Sequence, residues 1–516
     1  MESIFEFLGS IAWYWYLILF VVIVALFDIF NRKHIILRNF PVVGHFRYWL
    51  ESIGPELRQY IVANNREELP FNRIERGWIY ASAKDENNYE GFGTDRDIYS
   101  HQYIFINNAM MPYKVADDHV TSREPNFLPS AKVMGKNRRR PYRPASVINI
   151  SAMSYGSLSS KAIDAMNNGA KKVNAYHNTG EGGLSPYHKR GADVVFHFGT
   201  GYFGVRDDDG NFSMDKLKKL VQEHPQIRAI EVKLSQGAKP GKGGVLPGSK
   251  ISKEISKIRN VPMGKDVLSP PSHSAFSGID GLVDFVEEIA SETGLPVGIK
   301  AAIGKLEQWE ELADIMNKTG RGPDFITVDG GEGGTGAAPP SFADHVSLPW
   351  VYGFSNLYQL FQTKRLTENL VFVASGKLGF PAKAAMAFAM GADVINVARE
   401  AMISIGCIQA QACHNNTCPT GVATMNKWLQ RGIVVPEKAE RLASYFKKFN
   451  KELLEITHAA GYEHPCQFDM RDVDVSIGDQ NMTQTLEYSY KYQKTPVPFN
   501  GMQELKDCMH LGGASK

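Results

Sequence analysis

The chain has 516 residues, of which 43% are hydrophobic and 22% charged, with a formal net charge of +2. That is an ordinary globular composition, long enough for several domains or for one large barrel with additions. The near-neutral balance excludes a strong electrostatic pull towards nucleic acid. Glycine is the outlier at 47 residues, many of them in short clusters that point to backbone-lined ligand loops. Five cysteines, three of them close together, point to a reducing compartment for the main body.

Residues Phe7–Phe27 carry no charge and are rich in Ile, Leu, Val and aromatics, a run long enough to cross a bilayer as one helix. Trp13, Tyr14, Trp15 and Tyr16 lie towards its first half, as interfacial aromatics do. Glu2 and Glu6 precede it, so a cleaved signal peptide is not expected. Arg32, Lys33 and Arg38 follow, which places the large body on the cytoplasmic side of the cell membrane as a single-pass protein. The alternative is an apolar helix docked on the body. Residues 1–39 thus read as anchor and juxtamembrane segment.

Residues 40–145 read as an irregular lead-in, with short apolar runs at Arg73–Ala81 and Tyr103–Asn107. The basic run Lys136–Arg143 (KNRRRPYR) reads as a solvated loop, or as a contact for anionic lipid or an acidic partner.

From Ser146 the texture changes. Strand candidates recur at Val147–Ala152, Val173–His177, Ala229–Leu234, Val267–Leu268, Pro296–Ala301, Phe325–Val328, Val371–Ala374 and Val394–Val397. Helical patterns fall at Ser159–Lys172, Gly281–Thr293, Glu307–Lys318, Asn356–Leu366 and Pro381–Met390. Alternation of this kind predicts an α/β fold, a (β/α)8 TIM barrel over 146–462, with a doubly wound sheet as runner-up. Residues 463–516 read as a short, irregular tail in which Cys466 and Cys508 are incidental thiols.

In a barrel the active site lies at the C-terminal strand ends, and the unusual sequence sits there. The candidate strands end in Ser151–Ser157 (SAMSYGS), His177–Gly183 (HNTGEGG), Lys233–Gly241 (KLSQGAKPG), Lys300, Asp329–Gly336 (DGGEGGTG), Ser375–Gly379 (SGKLG) and Ala398–Arg399. A glycine-rich turn after the seventh strand with a further loop after the eighth is a phosphate site. The chemistry these residues suit is redox. Lys300 can stabilise negative charge at the edge of a reduced flavin ring; its alternative is a lysine paired with a rim carboxylate. Lys233, Gln236 and Lys239 can anchor a dicarboxylate; the alternative is surface lysines on a polar loop. Glu181, between glycines, is a candidate acid/base group, or a simple turn carboxylate.

Cys407, Cys413 and Cys418 form a C-x5-C-x4-C pattern within Gly406–Asn426. Three thiolates suit an iron–sulfur cluster with one iron missing, or a zinc site completed by His414. The alternative is three buried structural thiols.

The segments SAMSYGSLS, NTGEGG, QGAKPGKGGVLPG, LSPPSHS, DGGEGGTGAAP, LPW and GCIQAQACHNNTCPTGVAT, in that order from about Asn126 to Gly461, resemble the FMN-binding synthase domain of the glutamate synthases. The resemblance implies a (β/α)8 barrel, FMN, and a [3Fe-4S] cluster on Cys407, Cys413 and Cys418, with His414 as a neighbour. It implies reduction of 2-iminoglutarate, made from 2-oxoglutarate and ammonia, to L-glutamate. Glu181, Lys233 and Lys239 would be catalytic. Met153, Ser154, Gln236, Lys300, Gly376, Gly379 and Arg399 would bind the flavin.

The departures from that family also set expectations. No cysteine occurs before Cys407, so the glutaminase chemistry of full-length members is not expected, nor is their C-terminal β-helical domain. No early GxGxxG unit serves NAD(P)H. Electrons are expected from a partner such as a ferredoxin, a flavoprotein subunit or a membrane donor. Two other activities fit the same scaffold: joining another amine to a 2-oxo acid, or electron transfer without catalysis.

Overall fold

The computed structural model describes residues 13–31, 34–114, 127–478 and 482–510. The chain divides into two compact units, residues 1–77 and 78–516.

The first unit opens with a helix at Trp13–Ile29, whose side chains from Trp13 to Ile23 are exposed. Two more helices follow at Ile35–Asn39 and Gly44–Leu57. Asp28 is fully buried; it accepts the Val42 backbone N–H at 2.9 Å and pairs with His45 Nε2 at 3.0 Å. The apolar helix therefore ends on a carboxylate that also fixes the turn into the third helix. Among the described residues no helix is long and apolar enough to cross a membrane. The helix has 17 residues and spans about 26 Å, short of a hydrocarbon core of about 30 Å. Residues 7–12 of the expected span, with Arg32 and Lys33, lie outside the described residues.

In the second unit eight parallel strands close into a barrel. They are β1 (Ile148–Ile150), β2 (His177–Asn178), β3 (Val194–Phe198), β4 (Ile227–Lys233), β5 (Val297–Ala301), β6 (Phe325–Asp329), β7 (Val371–Ser375) and β8 (Val394–Val397). Each pairs with the next in sequence, and β8 returns to β1 through Val397 opposite Ile150. The (β/α)8 expectation holds, with one exchange. Val267–Leu268 is not a barrel strand; it pairs antiparallel with Val245–Leu246 in a separate ribbon. The strand the sequence reading missed is β3, VVFHF, buried throughout. A strand covered on both faces has no alternation to betray it, and its histidine breaks the apolar run.

Helices lie where the periodicity puts them, among them Ser160–Lys172, Gly278–Thr293, Glu307–Thr319 and Pro381–Met390. A long helix, Val435–Ala459, packs on Ser160–Lys172. They meet at Gly169, where a Cβ would stand 2.8 Å from Ala439 O and 2.7 Å from Leu442 Cδ2.

The basic run is solvated only in part: Lys136, Asn137, Arg139, Arg140 and Pro141 are exposed, but Arg138, Tyr142 and Arg143 are drawn into the body. Met134 and Tyr142 pair backbone to backbone and bury their side chains among Tyr176, Val195, Ala229 and Phe325, closing the N-terminal end of the barrel. Arg138 sits in a carboxylate fork, 2.7 Å from Glu287 and 2.9 Å from Asp324. Arg143 reaches the Ser130 and Ala131 carbonyls. The lead-in and the tail also meet in regular structure. Ile104–Ile106, Val473–Ile477 and Met482–Thr485 form an antiparallel sheet, and helices follow at Leu486–Tyr490 and Phe499–His510.

Candidate active site

The C-terminal ends of the strands carry a ring of paired charges. After β2 the chain turns tightly at Gly180–Gly182. Gly180 has φ of 62°, and a Cβ there would stand 2.6 Å from Ser154 N, so the loops after β1 and β2 touch through this glycine. The turn presents Glu181, whose Oε1 contacts Lys233 Nζ at the end of β4. Lys233 is largely buried. Burial, then the charges of Lys300 and Lys239, push its ammonium down to about 7, with Asp329 opposing. At the ends of β5 and β6, Lys300 Nζ lies 3.2 Å from Asp329 Oδ1, both buried.

The loop after β4 lies across the glycine-rich loop after β6. Gln236 Nε2 donates to Gly334 O at 2.9 Å, and Lys239 Nζ donates to Ala337 O at 2.9 Å. Between them Gly237 N donates to Asp329 Oδ2 at 2.8 Å, and a Cβ on Gly237 would collide with Gly330 O. Asp329 thus bridges Lys300 and the loop that carries Lys239.

Lys239 is buried and Lys233 largely so, its side chain 11% exposed, so neither lies out on the surface. Glu181 is ion-paired rather than a bare turn carboxylate. Lys300 does have a carboxylate partner, and it lies among the other two lysines as well.

Below this ring, Glu231 of β4 is 1% exposed. It accepts from Asn178 Nδ2 at 2.7 Å, from His197 Nδ1 at 2.6 Å and from Thr327 Oγ1. Burial works against its charge, but His197, Lys300 and Thr327 outweigh it and hold the carboxyl at about 2.

The sequence reading missed Asp329, Glu231, His197 and His273 as site residues. Asp329 and His273 stood inside quoted motifs without a role. Tyr202 OH accepts the backbone N–H groups of Ser274 and Ala275 and faces His273 Nδ1 at 3.1 Å. It therefore gives its proton to Nδ1, and His273 Nε2 donates to Lys233 O at 2.8 Å. Arg259, 4% exposed, was also missed; it donates to Tyr155 O at 2.9 Å beneath the loop of Met153 and Ser154.

The corner given to phosphate holds Gly376 and Arg399, whose guanidinium donates to Glu332 O. The Glu332 side chain shares this corner and accepts Trp350 N at 2.8 Å; burial pushes its carboxyl up. A Cβ on Gly376 would meet Trp350 Cβ at 2.7 Å. Gly379 is set back from the mouth, with its N–H donating to Glu400 Oε1 at 3.1 Å and its carbonyl accepting from Tyr445 OH. Backbone amides, a guanidinium and a buried lysine make a donor set that fits an anionic phosphate and an electron-rich ring edge.

The cysteine loop follows the helix Arg399–Ser404 after β8. Cys407 Sγ accepts the Gln409 backbone N–H at 3.4 Å, and Cys418 Sγ lies 3.5 Å from Thr420 Oγ1. Burial and Cys418 push the Cys413 thiol up, and Lys250 acts against them. Among the described residues no group of His, Cys, Asp or Glu is drawn together tightly enough for a single ion. His414 is exposed. An iron–sulfur cluster asks for thiolates with hydrogen bonds to sulfur and a cation near by. The loop offers the Gln409 N–H at Cys407 Sγ, the Thr420 hydroxyl beside Cys418 Sγ and the Lys250 ammonium near Cys413.

Residues 109–463 match the family described as "Conserved region in glutamate synthase". The glutamate synthase large subunit-like protein YerD of Bacillus subtilis is 41% identical over 475 residues, 86% of this chain and 90% of that one. The archaeal-type glutamate synthase (NADPH) of Thermotoga maritima is 33% identical over 318 residues, 61% of this chain and 59% of that protein. The archaeal glutamate synthase (NADPH) of Methanocaldococcus jannaschii is 32% identical over 315 residues, again 61% of this chain and 59% of its own length. A solved mandelate oxidase with (S)-4-hydroxymandelic acid superposes loosely, with a TM-score of 0.42 at 13% identity over 82% of this chain and 96% of that one. With the family match and the YerD relative each covering most of its length, the chain belongs to the glutamate synthase family.

Proposed function

We propose that this chain reduces 2-iminoglutarate, formed from 2-oxoglutarate and ammonia, to L-glutamate, using FMN and a [3Fe-4S] cluster. The observation that carries this reading is the gathering of Lys233, Lys239 and Lys300 with Glu181 at the C-terminal strand ends. Electron transfer alone has no use for such a cationic pocket, whereas a dicarboxylate substrate does.

Met153, Ser154, Gln236, Lys300, Gly376, Gly379 and Arg399 would hold the FMN, and Cys407, Cys413 and Cys418 the cluster. Bound FMN would supply the hydride, and the cluster would relay single electrons to it. The protein's own part is charge and proton placement. Lys233 Nζ and Lys239 Nζ offer positive charge to the two carboxylates. Glu181 Oε1 and Lys233 Nζ hold a proton between them, which would pass to the substrate nitrogen that must gain one. Lys300, held in place by Asp329, would supply positive charge to the ring edge. The donor is a separate protein, a ferredoxin or flavoprotein subunit, that meets the chain near the cysteine loop.

The exposed apolar helix Trp13–Ile29, with the residues before it, is the membrane-contacting segment in this reading, with the body on the cytoplasmic side. Alkaline carbonate extraction of full-length protein tests it: release into the supernatant removes the anchor.

The test of the reaction is anaerobic. Detergent-purified protein is photoreduced, 2-oxoglutarate and ammonium are added, and flavin reoxidation is followed with glutamate detection. Reoxidation with glutamate formed is the expected result. A bleached flavin that ignores both substrates overturns the ammonia-dependent reading.

A further inference from the structure

Lys250 ends the short turn Gly248–Lys250 and is 3% exposed. A lysine buried this deeply needs a reason. Its Nζ lies 2.7 Å from Cys413 O, 2.9 Å from Ala423 O and 3.3 Å from Ser157 O. An ammonium has three donors and no acceptor, so three carbonyls use it completely and require it charged.

The three acceptors come from two loops. Cys413 and Ala423 bound the central stretch of the cysteine loop, and Ser157 belongs to the loop after β1 that carries Met153 and Ser154. Ser159 N donates to Val422 O at 2.8 Å, and Asn416 Nδ2 donates to Ser249 O at 3.4 Å, beside the same junction. The stretch between is strained in its own backbone, with positive φ at Asn416 (67°) and, just before it, at Gln411 (54°). The Lys250 charge also acts on the thiols of Cys413 and Cys418.

We propose that Lys250 is a positioning residue: it ties residues 413–423 to the loop after β1 and sets one fixed positive charge beside Cys413 and Cys418. The loop-tying part stands by itself. The charge part rests on the reading that these thiols hold an iron–sulfur cluster, where a nearby cation favours the reduced, more negative form.

The test compares full-length wild-type protein with K250M, which keeps the length of the stem, and K250R, which keeps the charge but not the three-carbonyl fit. Amide exchange across 407–426 is read in iron-free protein, and iron, sulfide and cluster potential in loaded protein. We expect K250M to exchange at least tenfold faster across 413–423 with residues 160–172 unchanged. We expect its cluster to be harder to reduce, by a tenfold change in the oxidised-to-reduced ratio, about 59 mV for one electron. K250R should loosen the loop yet hold the potential. If K250M does not fold, K250Q is read in its place. Unchanged exchange in the neutral variant overturns the tie, and an unchanged potential overturns the charge. Wild-type protein that binds no iron sinks the cluster reading instead and leaves the exchange result to decide the tie.

Discussion

Lys300 Nζ lies 3.2 Å from Asp329 Oδ1 at neighbouring strand ends, and the other oxygen of Asp329 takes the Gly237 N–H at 2.8 Å. One carboxylate therefore sets both the charge beside Lys300 and the path of the loop that carries Gln236 and Lys239. Asp329→Asn separates the two jobs, because an amide oxygen can still accept from Gly237. With the negative charge gone, Lys300 would act unopposed on a flavin bound as proposed. The flavin midpoint potential should rise by roughly 30 mV or more, about 1.4 kcal/mol for two electrons. Dye-coupled photoreduction measures it, and an unmoved potential removes Lys300 from the ring.

Glu231 predicts a pH dependence. Its folded carboxyl is held at about 2, below the ordinary value of 4.5. A depressed acid binds fewer protons folded than unfolded, so its contribution to stability is present above about 4.5 and drains away as pH falls towards about 2. In Glu231→Gln the slope of unfolding free energy between pH 5 and 3 should flatten, by up to about 1.4 kcal/mol per pH unit. Denaturant midpoints at several pH values read the slope directly. The variant is also less stable at pH 7, since His197 loses its charged acceptor.

Gly169 marks where the helices Ser160–Lys172 and Val435–Ala459 come closest. An alanine there needs the second helix to shift off Ala439 O and Leu442. Gly169→Ala should cost about 1–3 kcal/mol of stability. Thermal unfolding checks the loss. A variant as stable as the parent means the helices separate freely.

Much of the site was legible because its chemistry is local. NTGEGG, KLSQGAKPG and DGGEGGTG each set glycine within a few positions of a charged residue, SAMSYGS sets it among hydroxyls, and each stretch sits at a strand end. The three cysteines were equally plain. What stayed hidden were residues whose role depends on burial alone. Glu231 and His197 sit in strands between apolar neighbours, with nothing to separate them from ordinary polar interruptions. Lys250 is one lysine among many in the sequence. Arg138 could not be told from its exposed neighbours in the basic run because its acceptors, Glu287 and Asp324, are distant in sequence.

The sequence by itself determined the alternation of strand and helix, the glycine loops, the thiol spacing and the apolar N-terminal run, since each is written in the spacing of near neighbours. Only the tertiary structure decided that Val194–Phe198 and not Val267–Leu268 enters the barrel. It alone decided that Lys233 meets Glu181, that Asp329 joins Lys300 to the β4 loop, and that Lys250 binds two loops together. Those pairings exist because barrel closure and strand register bring distant positions to one mouth, where low exposure forces every charge to find a partner.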